Sequence, residues 1–183
     1  IIFYYAGLSD LNEGLNKSIE SLKLNVESTV NILDLCRKYK IKKFIYSSSI
    51  YVLSQNGGFY KCSKQAAEIY IKEFFNRYKL KYNILRFGSV YGTRSDKNNS
   101  IHGIIKSAIK KRKIEYVGDS KSMREYINVK DAAKGAMKIL DKKYDNKVLN
   151  LTGPNHVKVS DALMTIKECL GIKSKINFKN KKY

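Results

Sequence analysis

Short, almost wholly apolar runs alternate along this chain with longer stretches whose apolar residues recur every three or four positions. Ile1–Tyr5 (IIFYY), Lys43–Ser47 (KFIYS), Tyr82–Phe87 (YNILRF) and Lys147–Leu151 (KVLNL) are the runs. A strand that is polar on one side alternates apolar with polar, whereas one apolar throughout is covered on both faces, as in a parallel sheet. The intervening stretches supply the cover. Leu22, Val26, Thr29, Val30, Leu33 and Cys36 share one helical face, so residues 16–39 are expected to be an amphipathic helix, and Tyr60–Tyr78 repeats the period. Strand–helix–strand order with such strands predicts an α/β fold built on a parallel sheet.

The elements after Tyr91 are shorter. A helix is expected over Ile101–Lys111, extended pieces at Ile114–Val117 and Glu125–Val129, and a helix over Asp131–Leu140. Gly153-Pro154 stops the run that ends at Leu151, Ser160 can cap a helix reaching Leu170, Gly171 suits that helix's end, and Ile176–Phe178 is a last strand. The expected division is a sheet domain over 1–92 and a smaller lobe over 93–183, with strands returning to the sheet.

Composition removes several function classes. No apolar stretch approaches the roughly 20 residues of a membrane helix, and Ile1–Tyr5 lacks the basic leader of a signal peptide. Three cysteines, Cys36, Cys62 and Cys169, are an odd number and far apart, which speaks against disulfides and for a reducing cytoplasm. Two histidines, His102 and His156, supply metal chemistry poorly, so no metal is expected. The net charge of +20 comes from 36 basic residues, of which only 6 are arginine. Lysine scattered along the whole chain reads as a solvated surface, since phosphate readers favour arginine; nucleic acid is not the expected partner.

Chemistry concentrates around Tyr60-Lys61-Cys62-Ser63-Lys64. Four residues apart on a helix, Tyr60 and Lys64 lie on one face. An ammonium near a phenol lowers its pKa, making Tyr60 a general acid/base. The preceding apolar run ends in Ser47-Ser48-Ser49, and in a parallel sheet ligands gather beyond the carboxyl ends of the strands.

At these residues the chain resembles the extended short-chain dehydrogenases/reductases of the nucleotide-sugar epimerase/dehydratase type. Tyr5-Ala6-Gly7 resembles the end of a strand beside the cofactor, and Asn25-Val26-Glu27-Ser28-Thr29 resembles the family's Asn-Val-x-Gly-Thr helix. Phe44–Ser49 resembles the strand carrying the catalytic hydroxyl, which falls on Ser49; Tyr60 and Lys64 match the Tyr-x-x-x-Lys pair. Ile84-Leu85-Arg86 through Val90-Tyr91-Gly92, Arg124 through Asp131, and Val148–Leu151 resemble later family segments in order.

The resemblance implies a Rossmann-like doubly wound sheet with a small substrate lobe. It implies NAD as cofactor, held by Tyr5, Ala6, Gly7, Asn25, Ser47, Tyr60, Lys64 and Gly88; the choice between NAD and NADP is left open. It implies a nucleotide-sugar substrate held by Ser49, Ser89 and Arg124, and catalysis by Ser49, Tyr60 and Lys64. Pairing of two copies through the helices at 16–39 and 60–78 is a further implication.

Four departures qualify these expectations. The family's glycine-rich phosphate turn would lie before Ile1, so weak cofactor binding by these 183 residues alone is expected. Ile50-Tyr51 stands where dehydratases of the family carry Asp-Glu, which points to epimerisation or keto reduction. The segment between Ser49 and Tyr60 is short for the family, and Ser89 replaces a usual Asn. A non-catalytic or RNA-binding member of the same fold is the rival reading.

Overall fold

The four apolar runs pair side by side as one parallel sheet, in the order β1 (Ile2–Tyr4), β2 (Lys43–Ser49), β3 (Lys81–Phe87) and β7 (Lys147–Leu151). The computed structural model describes residues 1–9, 16–95 and 99–179. Two units divide it: Ile1–Phe87 with Ala133–Leu151, and Gly88–Ala132 with Thr152–Tyr183.

In the first unit the helical layer runs from α1 (Ser18–Ser21) through a π-helical stretch, Leu22–Glu27, into α2 (Ser28–Lys38). α3 (Gly58–Tyr78) follows β2. Period-two alternation sorts each strand's side chains onto two faces. Phe44 and Tyr46 of β2, with Tyr82 and Ile84 of β3, meet Leu33 and Cys36 of α2 and Ala67, Ile71 and Phe74 of α3. On the opposite face, Ile45 and Leu85 pack with Ala136 and Ile139. Ala136 belongs to α5 (Val129–Lys138). Both faces are covered, which is why these strands read as continuous apolar runs. Lys43, buried at the start of β2, donates to the Ile139 carbonyl at 3.2 Å and pairs with Asp145.

The second unit carries β4 (Ser89–Tyr91), α4 (Ser100–Lys111), β5 (Glu115–Val117), β6 (Met123–Asn128), β8 (His156–Lys158), α6 (Val159–Cys169) and β9 (Asn177–Lys179). β6 pairs parallel with β4 and antiparallel with β8; β5 and β9 form a separate parallel pair. Its core is Ala108, Ile114, Val159, Leu163 and Ile172.

Several boundaries differ from expectation. β2 runs on through Ser48 and Ser49, because those two residues keep their pairing with Arg86 and Phe87. β4 and β8 were not foreseen; each is three residues long, and so short a run carries no period. Lys158, rather than Ser160, precedes the first turn of α6, and the Ser160 hydroxyl bonds instead to the Asp161 carboxylate at 3.0 Å. All three cysteines are free thiols. No helix among the described residues is long and apolar enough to cross a membrane.

Candidate active site

Ser49, Tyr60 and Lys64 meet in the first unit at the carboxyl end of β2. A short 3-10 turn, Ile50–Leu53, leaves Ser49 and returns the chain toward α3. Gly57 and Gly58 both have positive φ, at +126° and +50°, which turns the backbone into the helix so that Tyr60 falls in its first turn. A Cβ at Gly57 would stand 2.9 Å from the Lys61 Cβ, so a side chain there is obstructed as well as strained.

Lys64 sits one turn later and is 5% exposed. Its ammonium donates to the Ser47 carbonyl at 2.9 Å and lies 4.8 Å from the centre of the Tyr46 ring and 6.0 Å from that of Tyr60. Burial pushes its pKa down to about 8, against the opposing pull of the Glu68 carboxylate. Tyr60 is buried too. Loss of water pushes its phenol up, the Ser49 side chain that reaches it draws it down, and Tyr51 pushes it up again. The expectation that Lys64 lowers the Tyr60 pKa is therefore not met. The ammonium lies over the ring rather than at the hydroxyl, and dehydration of the phenolate outweighs the help from Ser49.

Asn25, in the π-helical stretch, ties two parts of the site together. Its Oδ1 accepts from the Leu8 N–H at 2.8 Å; its Nδ2 donates to the Leu8 carbonyl at 3.1 Å and to Ser63 Oγ at 2.9 Å. Ser63 Oγ in turn donates to the Tyr60 carbonyl at 2.8 Å. Both amide hydrogens of Asn25 are thus engaged within the protein, and its effect is to hold the loop after β1 against the first turn of α3. Gly7 (φ +143°) belongs to that loop; a Cβ there would lie 2.5 Å from Asn25 Oδ1. Tyr5, Ala6 and Gly7 are exposed beyond β1. Tyr4 donates to Ser28 Oγ at 2.8 Å, and Ser28 Oγ to the Leu24 carbonyl at 2.6 Å, bracing the same stretch from below.

Gly88, Ser89 and Arg124 belong to the second unit. A Cβ on Gly88 would run into the Glu125 carbonyl, so packing of the chain there against β6 accounts for the glycine. Ser89 is half-buried and pairs with Tyr126 across β4 and β6. The Arg124 guanidinium donates to the Met123 carbonyl at 2.8 Å. An open cavity of about 380 Å³ lies in this unit, lined by Tyr91, Thr93, Asn99, His102, Asn128 and Lys130 among others.

Sequence reasoning gave no role to Ser48, Glu68 and Arg86, which form a cluster one turn beyond Lys64, with Ser48 and Glu68 buried and Arg86 partly so. The available signal was the four-residue step from Lys64 to Glu68, the same step that linked Tyr60 to Lys64.

The donor set suits a nicotinamide cofactor. Among the described residues the Lys64 ammonium makes one hydrogen bond, and an ammonium has three donors, so two remain for a pair of vicinal ribose hydroxyls. No cluster of three or more His, Cys, Asp or Glu fit to hold a metal exists among the described residues.

Comparison with known proteins bears on the fold and the family. A UDP-glucuronate 4-epimerase of Thermodesulfobacterium geofontis is 25% identical over 91% of this chain and 57% of its own length. The UDP-glucose 4-epimerase of Thermotoga maritima, solved with UDP-glucose, superposes with a TM-score of 0.89 at 24% identity, over 98% of this chain and 64% of that one. The UDP-glucose 4-epimerase of Thermus thermophilus, solved with NAD, gives 0.85 at 21% identity, over 97% and 64%. The chain thus spans less than two thirds of each of these relatives. The two superpositions establish the expected Rossmann-like α/β fold. The sequence pattern of the NAD dependent epimerase/dehydratase family matches residues 1–152, and the chain belongs to that family.

Proposed function

We propose that this chain supplies the proton-handling part of an NAD-dependent epimerase acting on a nucleotide sugar. The observation that carries the reading is the convergence of Ser49, Tyr60 and Lys64 at the carboxyl end of β2. The relatives solved with UDP-glucose and with NAD support both the substrate class and the cofactor.

NAD held by these residues would supply the hydride chemistry, oxidation of a sugar carbinol to the ketone and reduction of that ketone from its other face. Tyr60 moves the accompanying proton. As the phenol it donates to the carbonyl oxygen during the return step; as the phenolate it accepts the hydroxyl proton during the outward step. A buried phenol favours the first state, and positive charge brought near it favours the second. Ser49 steadies the same sugar oxygen as charge develops on it. Lys64 holds the cofactor's ribose. Tyr5, Ala6, Gly7, Ser47 and Gly88 are assigned to the same cofactor. Arg124 is assigned to the substrate diphosphate, a geometry its guanidinium suits, with Ser89 beside it. Ile50-Tyr51 supplies no carboxylate for water loss, which favours epimerisation, with keto reduction as the second reading.

The reading includes a cytoplasmic location and pairing of two copies through the outer faces of α2 and α3, where Leu35, Ile69 and Tyr70 are exposed.

Tyr60→Phe removes the transferable proton and leaves the ring. With a UDP-hexose and NAD, turnover is expected to fall by about two to four orders of magnitude while circular dichroism is unchanged. Turnover at the wild-type rate in the folded variant refutes the assignment.

A further inference from the structure

The proposed chemistry leaves one buried carboxylate without a task. Glu68 stands one helical turn beyond Lys64 on α3 and is 4% exposed. Two strands grip it. Ser48 Oγ of β2 donates to Oε1 at 2.6 Å; from β3, Arg86 donates through Nε to Oε1 at 3.0 Å and through Nη2 to Oε2 at 2.6 Å. The fork is bidentate, so the carboxylate has a fixed orientation.

Stability alone is a poor account of this arrangement. Taking Glu68 and most of Arg86 out of water costs dehydration that their attraction repays only in part, and apolar residues of similar size commonly do as well or better. The position of the pair is more informative. Ser48 is the middle residue of the Ser47–Ser49 run. Its neighbour on one side accepts from the Lys64 ammonium, and its neighbour on the other reaches the Tyr60 phenol. Tyr46 and Ser48 share one face of β2, and that face presents a ring to Lys64 and a hydroxyl to Glu68.

We infer that Glu68 is a positioning residue for Lys64: clamped by Arg86 and Ser48, its carboxylate keeps the buried ammonium charged and holds α3 in register with the serine run of β2. The inference rests on the reading of Lys64 as the cation on the cofactor side. The titratable and charged groups acting on or lying over Lys64 are Tyr60 and Glu68 on its own helix and Tyr46 on β2; Arg86 on β3 is paired with Glu68. Of these, Glu68 alone carries the negative charge that opposes the dehydration of the ammonium.

The test is a pH titration of the Lys64 side chain, followed by its 13Cε chemical shift in the protein without substrate or cofactor. The resonance is assigned by its loss in Lys64→Met. Glu68→Gln keeps shape and hydrogen-bonding atoms but removes the charge. The midpoint of Lys64 is expected to fall by about one unit, a roughly tenfold drop in the ratio of charged to neutral lysine at a fixed pH. Loosened packing does the opposite: water reaches the ammonium and the midpoint climbs toward its ordinary value of 10.5. An unchanged or raised midpoint in Glu68→Gln overturns the inference. Should that variant not fold in dilute buffer, the titration is run in a stabilising osmolyte, with the same fall expected on the same criterion. The titration needs no turnover. Wild-type activity in Tyr60→Phe therefore sinks the functional reading and leaves the Glu68–Lys64 coupling intact, whereas a static Lys64 midpoint sinks the coupling alone.

Discussion

Replacing Lys64 by Met should stabilise the chain at neutral pH. The burial that pushes the ammonium from 10.5 down to about 8 represents, at about 1.4 kcal/mol per unit, roughly 3 kcal/mol of dehydration carried by the native state. The sign follows from proton binding. Between pH 8 and 10.5 the unfolded chain keeps a proton on Lys64 that the folded chain releases, so raising the pH through that window stabilises the wild type. The contribution is complete above 10.5 and lost as the pH falls through about 8. Met has no such window. It forfeits the bond to the Ser47 carbonyl, about 1.5–3 kcal/mol for a charged donor. At pH 7 the net advantage of Met is therefore about 1 kcal/mol. The more decisive quantity is the pH dependence. Urea unfolding followed by circular dichroism, at steps from pH 7 to 10.5, should show the Met-minus-Lys difference shrinking by roughly 3 kcal/mol and changing sign. Alkaline effects common to both proteins cancel in that difference. A difference that stays level across the range refutes the account of Lys64 as a buried, dehydrated cation.

Two further outcomes follow from other parts of the site. Asn25→Ala strands the Leu8 N–H and carbonyl, at a cost of about 2 kcal/mol; hydrogen exchange at the Leu8 amide should accelerate markedly, and unchanged exchange contradicts the bracing role. Ile69→Asp on the outer face of α3 should leave the fold intact and convert a dimer to a monomer in sedimentation, because a charge is placed where apolar contact is proposed; a wild type that sediments as a monomer refutes the pairing.

Much of the first unit was legible because its signals are long. Seven residues of β2 and 21 of α3 give clear periods, and Leu33, Cys36, Phe44 and Ile71 fall where the apolar pattern puts them. The Tyr60–Lys64 step was legible for the same reason, since four residues is one turn. What escaped notice were effects set by distance across elements. The direction of the Tyr60 pKa depends on how much water the phenol loses, which no local spacing records. Nothing in the local sequence around Glu68 records the grip on its carboxylate, because Ser48 and Arg86 come to it from β2 and β3. The three-residue strands β4 and β8 owe their existence to neighbours in β6 and leave no period of their own.

The alternation along β2 has a consequence for how such a chain can change. Insertions in the turns on either side of this strand leave untouched which residues look toward α3. A single residue added or lost inside it reverses the facing of everything beyond. Ile45 and Ser47 would then take the places of Tyr46 and Ser48, Glu68 would face a different partner, and aliphatic bulk would press on the ammonium. Loop length on this scaffold is free to drift, while the parity of one seven-residue strand is not.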